Sequence, residues 1–185
     1  MNNFRPLNNK IKKQEERRDK MGNDLVKQQL QFTMDKMEEV TGKLRTYLNE
    51  ATLSELNKSE TRTSKDDFQL ILDQFRRLLV FFDEGREAGT VLLRSERFRK
   101  SAAEKTLFWI FHQCVEEFFQ PHYDVWFEDS RAAYTGKNAI RFRTEVPAPL
   151  KDMVKAIEGP LQEIREELEY YETDYRTKVK QRESN

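Results

Sequence analysis

The stretch LKDMVKAIEGPLQEIREELEYYETDY, residues 150–175, decides the fold class of this chain. Its apolar residues recur at alternating intervals of four and three, which is the heptad pattern of a helix with one buried face. The positions of this carboxy-terminal seam are Leu150, Val154, Ile157, Leu161, Ile164, Leu168, Tyr171 and Tyr175. Gly159 and Pro160 interrupt the helix but keep the phase of the seam, so both halves are expected to face the same core.

Two earlier segments show the same periodicity behind capping sequences. Residues 64–67 and 101–104 each start with a serine followed by an acid three residues later, which predicts a helix start because both side chains can satisfy free amides. The first apolar face contains Phe68, Ile71, Leu72, Phe75, Leu78, Leu79 and Phe82. The second contains Ala103, Leu107, Phe108, Trp109, Ile110, Phe111, Cys114, Val115, Phe118 and Phe119. Because this second helix is apolar on nearly every side, we expect it to be central. Gly85 and Gly89 are expected to interrupt the first of these two helices.

The amino-terminal part predicts a helix preceded by a tail. A helix from about residue 24 to about residue 48 is indicated by apolar residues seven apart. These are Leu30, Met37 and Leu44. Residues 1–20 contain seven basic and three acidic side chains, so we interpret them as a flexible basic tail and Met21 as the physiological start. Residues 181–185 are expected to be a frayed carboxy-terminus.

Residues 123–146 change from helical to strand periodicity. In the second half, apolar residues alternate with charged ones, as in a half-buried strand. The apolar positions are Ile140, Phe142 and Val146. Val125 and Phe127 are expected to line the partner strand, and residues 135–138 supply turn chemistry between them. This pattern predicts a β-hairpin.

We therefore predict a mainly α protein, a bundle of about four long helices with a β-hairpin inserted before the last helix. Residues 21–180 are expected to form a single domain, with the hairpin at about 123–146. Hydrophobic residues make up 37% and charged residues 36% of the 185 positions. A disordered chain is nevertheless excluded, because 13 Phe, six Tyr and two Trp provide a large apolar area to bury.

Composition also argues against several functional classes. The sequence has no run of about 18 apolar residues that would span a membrane, and residues 1–20 lack the apolar core of a secretory signal. The single cysteine, Cys114, cannot build a disulfide framework or a cysteine zinc site, and it is consistent with the cytoplasm. Basic and acidic residues both number 33, and this zero net charge argues against indiscriminate nucleic-acid binding.

The predicted central helix contains one pair of residues at metal-binding spacing. His112 and Glu116 lie four apart and therefore share a helix face. A zinc or iron site needs further ligands, but the chain has two histidines and no H-E-x-x-H motif. We therefore expect a structural role for His112, no bound metal or cofactor, and an inert, buried Cys114.

The hairpin is the most unusual stretch for recognition, because aromatic and basic side chains interleave there. One interpretation is a structural hairpin held by cross-strand ion pairs, with one apolar face on the bundle. The other is a binding surface for a partner protein or a small anion, since Tyr, Trp and Arg are the residue types that contribute most interface energy. The candidate contacts are Trp126, Arg131, Tyr134, Lys137, Arg141 and Arg143.

We favour a non-enzymatic interaction module with a protein partner, and two alternatives stay open. The first is a small-molecule enzyme or anion sensor with a pocket between the hairpin and the central helix. Its pocket residues would be His112, Glu116, Asp124, Glu128 and Asp129. The second is weak nucleic-acid binding through the basic tail and residues 94–105, which contain five basic and two acidic side chains. The carboxy-terminal seam also permits a homodimer.

Several strings between Met21 and about Lys178 form a characteristic set. They are Leu78–Phe81, Ala102–Leu107, Glu116–Phe119, Asp129–Arg131, Ala133–Asn138 and the long string Arg165–Lys178. Together they resemble the YpuI-like family of spore-forming Gram-positive bacteria. The resemblance implies a cytosolic bacterial protein, and it transfers no activity, cofactor or catalytic residue to any position of this chain.

Overall fold

Helices make up most of the structure, as the apolar periodicities predict. A computed structural model describes the backbone of residues 5–50, 64–133 and 138–183, and the side chains of residues 21–50, 64–132 and 138–181. In chain order the elements are α1 (Arg5–Glu50), α2 (Lys65–Arg94), α3 (Lys100–Ile110), a π-helical turn (Phe111–Val115), α4 (Glu116–Phe119), β1 (Trp126–Glu128), α5 (Ser130–Ala133), β2 (Ile140–Phe142), α6 (Ala148–Glu167), a 3₁₀ turn (Glu169–Tyr171) and α7 (Asp174–Glu183). In the described residues the protein is mainly α with a small antiparallel hairpin, which confirms the predicted fold class.

A single apolar core lies between α1, α2, α6 and the central helix, by which we mean α3, the π-helical turn and α4 together. The predicted face of α1 is buried at Leu30, Met37 and Leu44. All eight residues of the carboxy-terminal seam are buried as well, on both sides of Pro160. The proline therefore leaves the phase of the seam intact, as predicted.

Helix α2 begins as predicted but continues beyond its two glycines. The hydroxyl of Ser64 accepts a hydrogen bond from the Asp67 amide at 3.1 Å, which caps the first turn. Gly85 and Gly89 do not end the helix, which extends to Arg94. They allow α1 to pack closely, because a Cβ at Gly89 would overlap the thioether of Met34.

The central helix starts two residues earlier than the capping sequence predicts. Arg99 occupies the cap position without a side-chain hydrogen bond, and its carbonyl accepts from the Ala102 and Ala103 amides at 3.1 and 3.0 Å. The helix then contains a π-helical turn, which adds one residue to the helical repeat. Phe111, Cys114 and Val115 of this turn are all buried, as expected of a central helix.

The hairpin has the predicted second strand and a shifted first strand. Trp126 pairs with Phe142, Phe127 with Arg141 and Glu128 with Ile140. Trp126 is 1% exposed and Phe127 is 37% exposed, so Phe127 points outward rather than inward. The reason is local: the Val125 amide donates to the Tyr123 carbonyl at 2.7 Å, and this tight turn delays the alternation by one residue.

Pro160 lies inside α6 and is accommodated by a side chain from α1. Proline has no amide hydrogen, so the Ala156 carbonyl four residues earlier lacks its helical donor. The ammonium of Lys43 donates to this carbonyl at 3.0 Å. Helix α6 ends at Glu167, and the seam continues through the 3₁₀ turn into α7, so the predicted last helix is divided near Leu168.

At the amino-terminal end, the first helix is longer than the sequence predicts. Helix α1 begins at Arg5, which is earlier than the start predicted near residue 24. Flexibility of residues 1–20 and fraying of residues 181–185 concern motion and stay predictions. Within the described ranges, every helix is too short or too polar to cross a lipid bilayer.

Candidate functional site

The start of the hairpin is fixed to the helical core by a polar network. Gln74 of α2 is buried and donates to Glu117 Oε1 at 2.9 Å. The Tyr123 amide donates to Oε1 of Gln74 at 3.2 Å, and the His122 amide donates to Oε1 of Glu117 at 3.0 Å. Arg77 also donates to this carboxylate at 2.9 Å. The backbone that leads into β1 therefore has a defined position.

The end of the hairpin connection is fixed by a buried carboxyl group. Glu158 of α6 is 3% exposed and accepts a hydrogen bond from the Ala139 amide at 2.6 Å. The Ala139 carbonyl accepts from the Asp129 amide at 2.7 Å. Burial raises the pKa of Glu158, and the hydrogen bond from Ala139 opposes part of that rise.

Trp126 attaches the middle of the hairpin to the core. Its Nε1 donates to the Phe118 carbonyl at 2.8 Å, a group left without a helical donor because α4 ends at Phe119. The indole also packs against the rings of Phe75 and Phe142. Trp126 was expected to contact a partner, but a side chain buried in this way is not on the surface, so it is not part of the candidate site.

One edge of the hairpin is neutralised by close ion pairs. Arg143 lies 2.9 Å from Asp124 and stacks over the ring of Phe127, with its guanidinium carbon 4.3 Å from the ring centroid. On the same side, Arg165 of α6 lies 2.8 Å from Glu128. These contacts match the predicted structural hairpin held by ion pairs. The cavity beside them has a volume of about 390 Å³.

A second cavity, the β2–α6 cavity, lies at the other edge of the hairpin and has a volume of about 310 Å³. The α6 residues that line it are Lys151, Val154, Lys155 and Glu158. Their spacing of three, one and three places them on one helix face. The facing wall includes Asn138, Ile140, Arg141, Phe142, Thr144 and Glu145. The cavity therefore combines three basic side chains and two acidic ones with an apolar wall.

The cations of the β2–α6 cavity are held loosely compared with those at the other edge. Arg141 Nε lies 3.7 Å from Asp129, and Lys155 lies 3.8 Å from Asp152 on its own helix. Lys151 makes no ion pair within the described part of the chain. Because long distances and exposure weaken such pairs, this cavity can attract an anion.

The structure describes three of the remaining predicted contact residues of the hairpin. Arg131 is exposed on α5, and its amide donates to Oδ1 of Asp129 at 3.0 Å. Arg141 and Arg143 lie at opposite edges of the hairpin, in the two cavities. Tyr134 and Lys137 lie outside the described residues.

In the described part of the chain, the residues of the predicted enzyme pocket do not all line either cavity beside the hairpin. His112 Nδ1 lies 2.5 Å from Glu116, and the ring packs against Phe108. Neither residue lines either cavity of the hairpin, whereas Asp124 and Glu128 line the ion-paired one. Asp129 lines neither and lies nearest to Arg141. The β2–α6 cavity thus lies against α6 and not against the central helix.

Metal ligands and a reactive thiol are two further sources of chemistry in a protein. Within the described residues, no three His, Cys, Asp or Glu side chains are grouped as a metal site requires. Cys114 is buried, and burial raises the pKa of its thiol well above the usual value, which disfavours the nucleophilic thiolate.

Three residues of the candidate site were missed by sequence reasoning, namely Lys151, Lys155 and Glu158. The apolar seam identifies the buried face of α6, but these three residues lie beside it, on a face that has no apolar pattern of its own. A weak signal was present, because Glu158 directly follows Ile157 at the edge of the seam, where a polar residue needs a buried partner. The partner itself, the Ala139 amide, is a product of the fold.

Comparison with known proteins bears on the family of the chain. The family model described as a protein of unknown function (DUF3907) matches residues 30–177. The uncharacterized protein YpuI of Bacillus subtilis (strain 168) is 41% identical over 152 residues, which cover 82% of this chain and 84% of that protein. No solved structure matches the chain. The predicted YpuI-like resemblance is thus confirmed, and the chain belongs to the DUF3907 family.

Proposed function

We propose that the protein is a cytosolic, non-enzymatic interaction module whose partner is a polypeptide with an acidic segment. The binding surface in this proposal is the β2–α6 cavity together with the outward side of the hairpin. In this proposal the hairpin binds the partner, as the sequence predicts, and the main contacts with the partner are made by Arg141, Lys151 and Lys155. A lone, unpaired Cys114 supports a reducing compartment.

The single observation that carries the proposal is the difference in ion pairing between the two edges of the hairpin. At one edge, Arg143 and Arg165 each have a carboxylate within 2.9 Å. At the other, Arg141 and Lys155 have no carboxylate closer than 3.7 Å among the residues that the structure describes. An acidic segment would supply carboxylates to these weakly paired cations, and their positive charge would attract it during association.

The outward side of the hairpin supports a polypeptide partner. Phe127 is directly opposite Arg141 in the strand pairing, and both side chains are exposed. An aromatic ring beside an arginine is the composition that dominates protein interfaces. The buried side of the same hairpin is fixed by Trp126, so the surface is presented without a large ordering cost on binding.

The two alternatives have less geometric support. For an enzyme, His112 and Glu116 would have to reach a cavity with the hairpin acids, and they line neither of the cavities beside it. For nucleic-acid binding, the basic residues 94–105 extend from the end of α2 into the start of α3 and line neither cavity of the hairpin.

Affinity purification from native cells tests the proposal through a charge-matched pair of variants. The test variant carries Arg141→Gln, Lys151→Gln and Lys155→Gln. The control carries Lys27→Gln, Arg97→Gln and Lys105→Gln, which removes the same charge from exposed positions elsewhere. Circular dichroism and urea unfolding establish that both variants are folded.

The expected result is that wild type and control retain a protein with an acidic segment and the test variant loses it. Retention by the test variant, or equal loss by both variants, contradicts the proposal. Capture that disappears on nuclease treatment also contradicts it and favours the nucleic-acid alternative, whose affinity should in addition fall steeply with salt.

A further inference from the structure

We infer that the β2–α6 cavity contains a subsite for one phosphate monoester group. The group belongs either to a small organic phosphate or to a phosphorylated side chain of the partner polypeptide. The inference deepens the proposed function and rests on it, because the same three cations, Arg141, Lys151 and Lys155, form the subsite.

The three cations approach the cavity from two walls. Lys151 and Lys155 are four residues apart on α6, so their side chains start about 6 Å from one another on one helix face. Arg141 comes from β2, the facing wall. An anion in the cavity is therefore surrounded by donors from two directions.

Arg141 is oriented before any ligand binds. Its Nη1 donates to the carbonyls of Asn138 and Ile140, at 2.6 and 3.2 Å. Asn138, whose carbonyl accepts one of these bonds, adopts a left-handed conformation with φ of 55°. Nη2 makes no hydrogen bond with the described residues, so part of the guanidinium fork stays open for a ligand.

The arrangement favours a phosphate ester over a carboxylate. One arginine fork satisfies both oxygens of a planar carboxylate. Two further ammonium groups on another wall need additional acceptor oxygens, and a phosphate monoester provides three oxygens and up to two negative charges. The three basic side chains of the cavity outnumber its two acids, Glu145 and Glu158, and Glu158 also accepts a hydrogen bond from the Ala139 amide.

The apolar wall favours an ester over inorganic phosphate. Ile140, Phe142 and Val154 line the same cavity as the cations. Burial of a hydrocarbon group against them adds apolar area to the electrostatic attraction. The volume of about 310 Å³ is at the lower limit for small-molecule sites, so it suits one phosphate with a body of side-chain size.

Phenyl phosphate is the probe, followed in two-dimensional ¹H–¹⁵N NMR spectra of the full chain. We expect saturable shifts confined to residues 138–145 and 151–158, and an affinity at least about tenfold higher than that of benzoate or inorganic phosphate. Arg141→Gln should weaken binding by at least about tenfold, and Lys151→Gln or Lys155→Gln should weaken it by less. Arg97→Gln is the matched control, because Arg97 is an exposed arginine that does not line the cavity, and it should bind as wild type does.

Absence of saturable shifts in the folded chain overturns the inference, and so does equal affinity for benzoate. Equal weakening by Arg97→Gln overturns it as well, since the effect would then be one of net charge. Phosphotyrosine in an acidic peptide that binds more tightly than phenyl phosphate supports a polypeptide source, and equal affinity supports a small organic phosphate. If phenyl phosphate fails while the triple variant still loses its captured partner, the phosphate inference alone is overturned.

Discussion

The indole of Trp126 closes the end of the central helix by binding the Phe118 carbonyl. Trp126→Phe keeps a large aromatic ring but removes the only donor of the side chain. We expect a loss of about 1–3 kcal/mol in the free energy of unfolding, because a buried carbonyl is left without a partner. Urea unfolding measures this loss.

Trp109→Phe is the matched control for this residue. Trp109 is half-buried, and its indole nitrogen makes no hydrogen bond within the described residues, so its replacement should cost clearly less. Equal losses for both variants would show that the hydrogen bond to Phe118 is not the source of the effect.

Glu158 should make stability depend on pH in a direction fixed by its environment. Its pKa is raised by burial and by the Glu128 charge and is lowered by the Ala139 amide and the Arg141 charge. The folded state therefore binds a proton more tightly than the unfolded state. Stability from this group is greatest below the unfolded pKa of about 4.3 and falls as pH rises through the raised value.

Glu158→Gln should remove this dependence while keeping an acceptor for Ala139. Between about pH 4 and about pH 7, wild type should lose more stability than the variant does. Urea unfolding of both proteins at the two pH values gives the comparison. A difference between wild type and variant that stays constant with pH would refute the assignment.

At the scale of elements, Lys43 compensates α6 for the amide that Pro160 lacks. Lys43→Met should destabilise the protein by about 1 kcal/mol, because the Ala156 carbonyl loses its donor. In a Pro160→Ala background the backbone can supply that donor, so the same change should cost less. A double-mutant cycle should give a coupling of about 0.5–1.5 kcal/mol.

Lys36 provides the control for this cycle. It pairs with Glu163 of α6 at 2.5 Å and does not contact the Ala156 carbonyl. Lys36→Met combined with Pro160→Ala should therefore be additive. Coupling of similar size at both lysines would mean that Pro160→Ala disturbs the α1–α6 contact in general.

Close packing of α1 against α2 predicts opposite effects for two glycines. Gly89→Ala should destabilise by about 1 kcal/mol or more, because the added methyl group would overlap the side chain of Met34. Gly42→Ala on α1 should stabilise by about 1 kcal/mol, since nothing lies within 4 Å of its Cβ position and alanine favours the helix. Thermal unfolding measures both, and effects of equal sign would contradict the packing argument.

At the scale of the whole molecule, much of the fold is contained in the periodicity of the sequence. The spacing of the seam residues predicts α6 and its buried face, since apolar burial follows a 3.6-residue repeat. Continuation of α2 through Gly85 and Gly89 is not predictable locally, because it depends on close contact with α1. The inward turn of Trp126 likewise depends on one backbone hydrogen bond at Val125.

The candidate site was predictable to a smaller extent. Arg141 follows from the interleaved pattern of the hairpin, but Lys151 and Lys155 resemble any solvated helix face in sequence. Their relevance arises only when β2 lies beside α6, a contact set by tertiary packing. The seam residues are buried within one chain, so a homodimer would have to use another surface.

Photo-crosslinking from position 151 tests the central claim, that the β2–α6 cavity receives an acidic partner. A photoreactive amino acid replaces Lys151 in the full chain in native cells, and the same residue at position 27 serves as the control. We predict a covalent adduct from position 151 to an acidic segment of one protein, absent from position 27. No adduct from position 151, or the same adducts from both positions, would contradict the account.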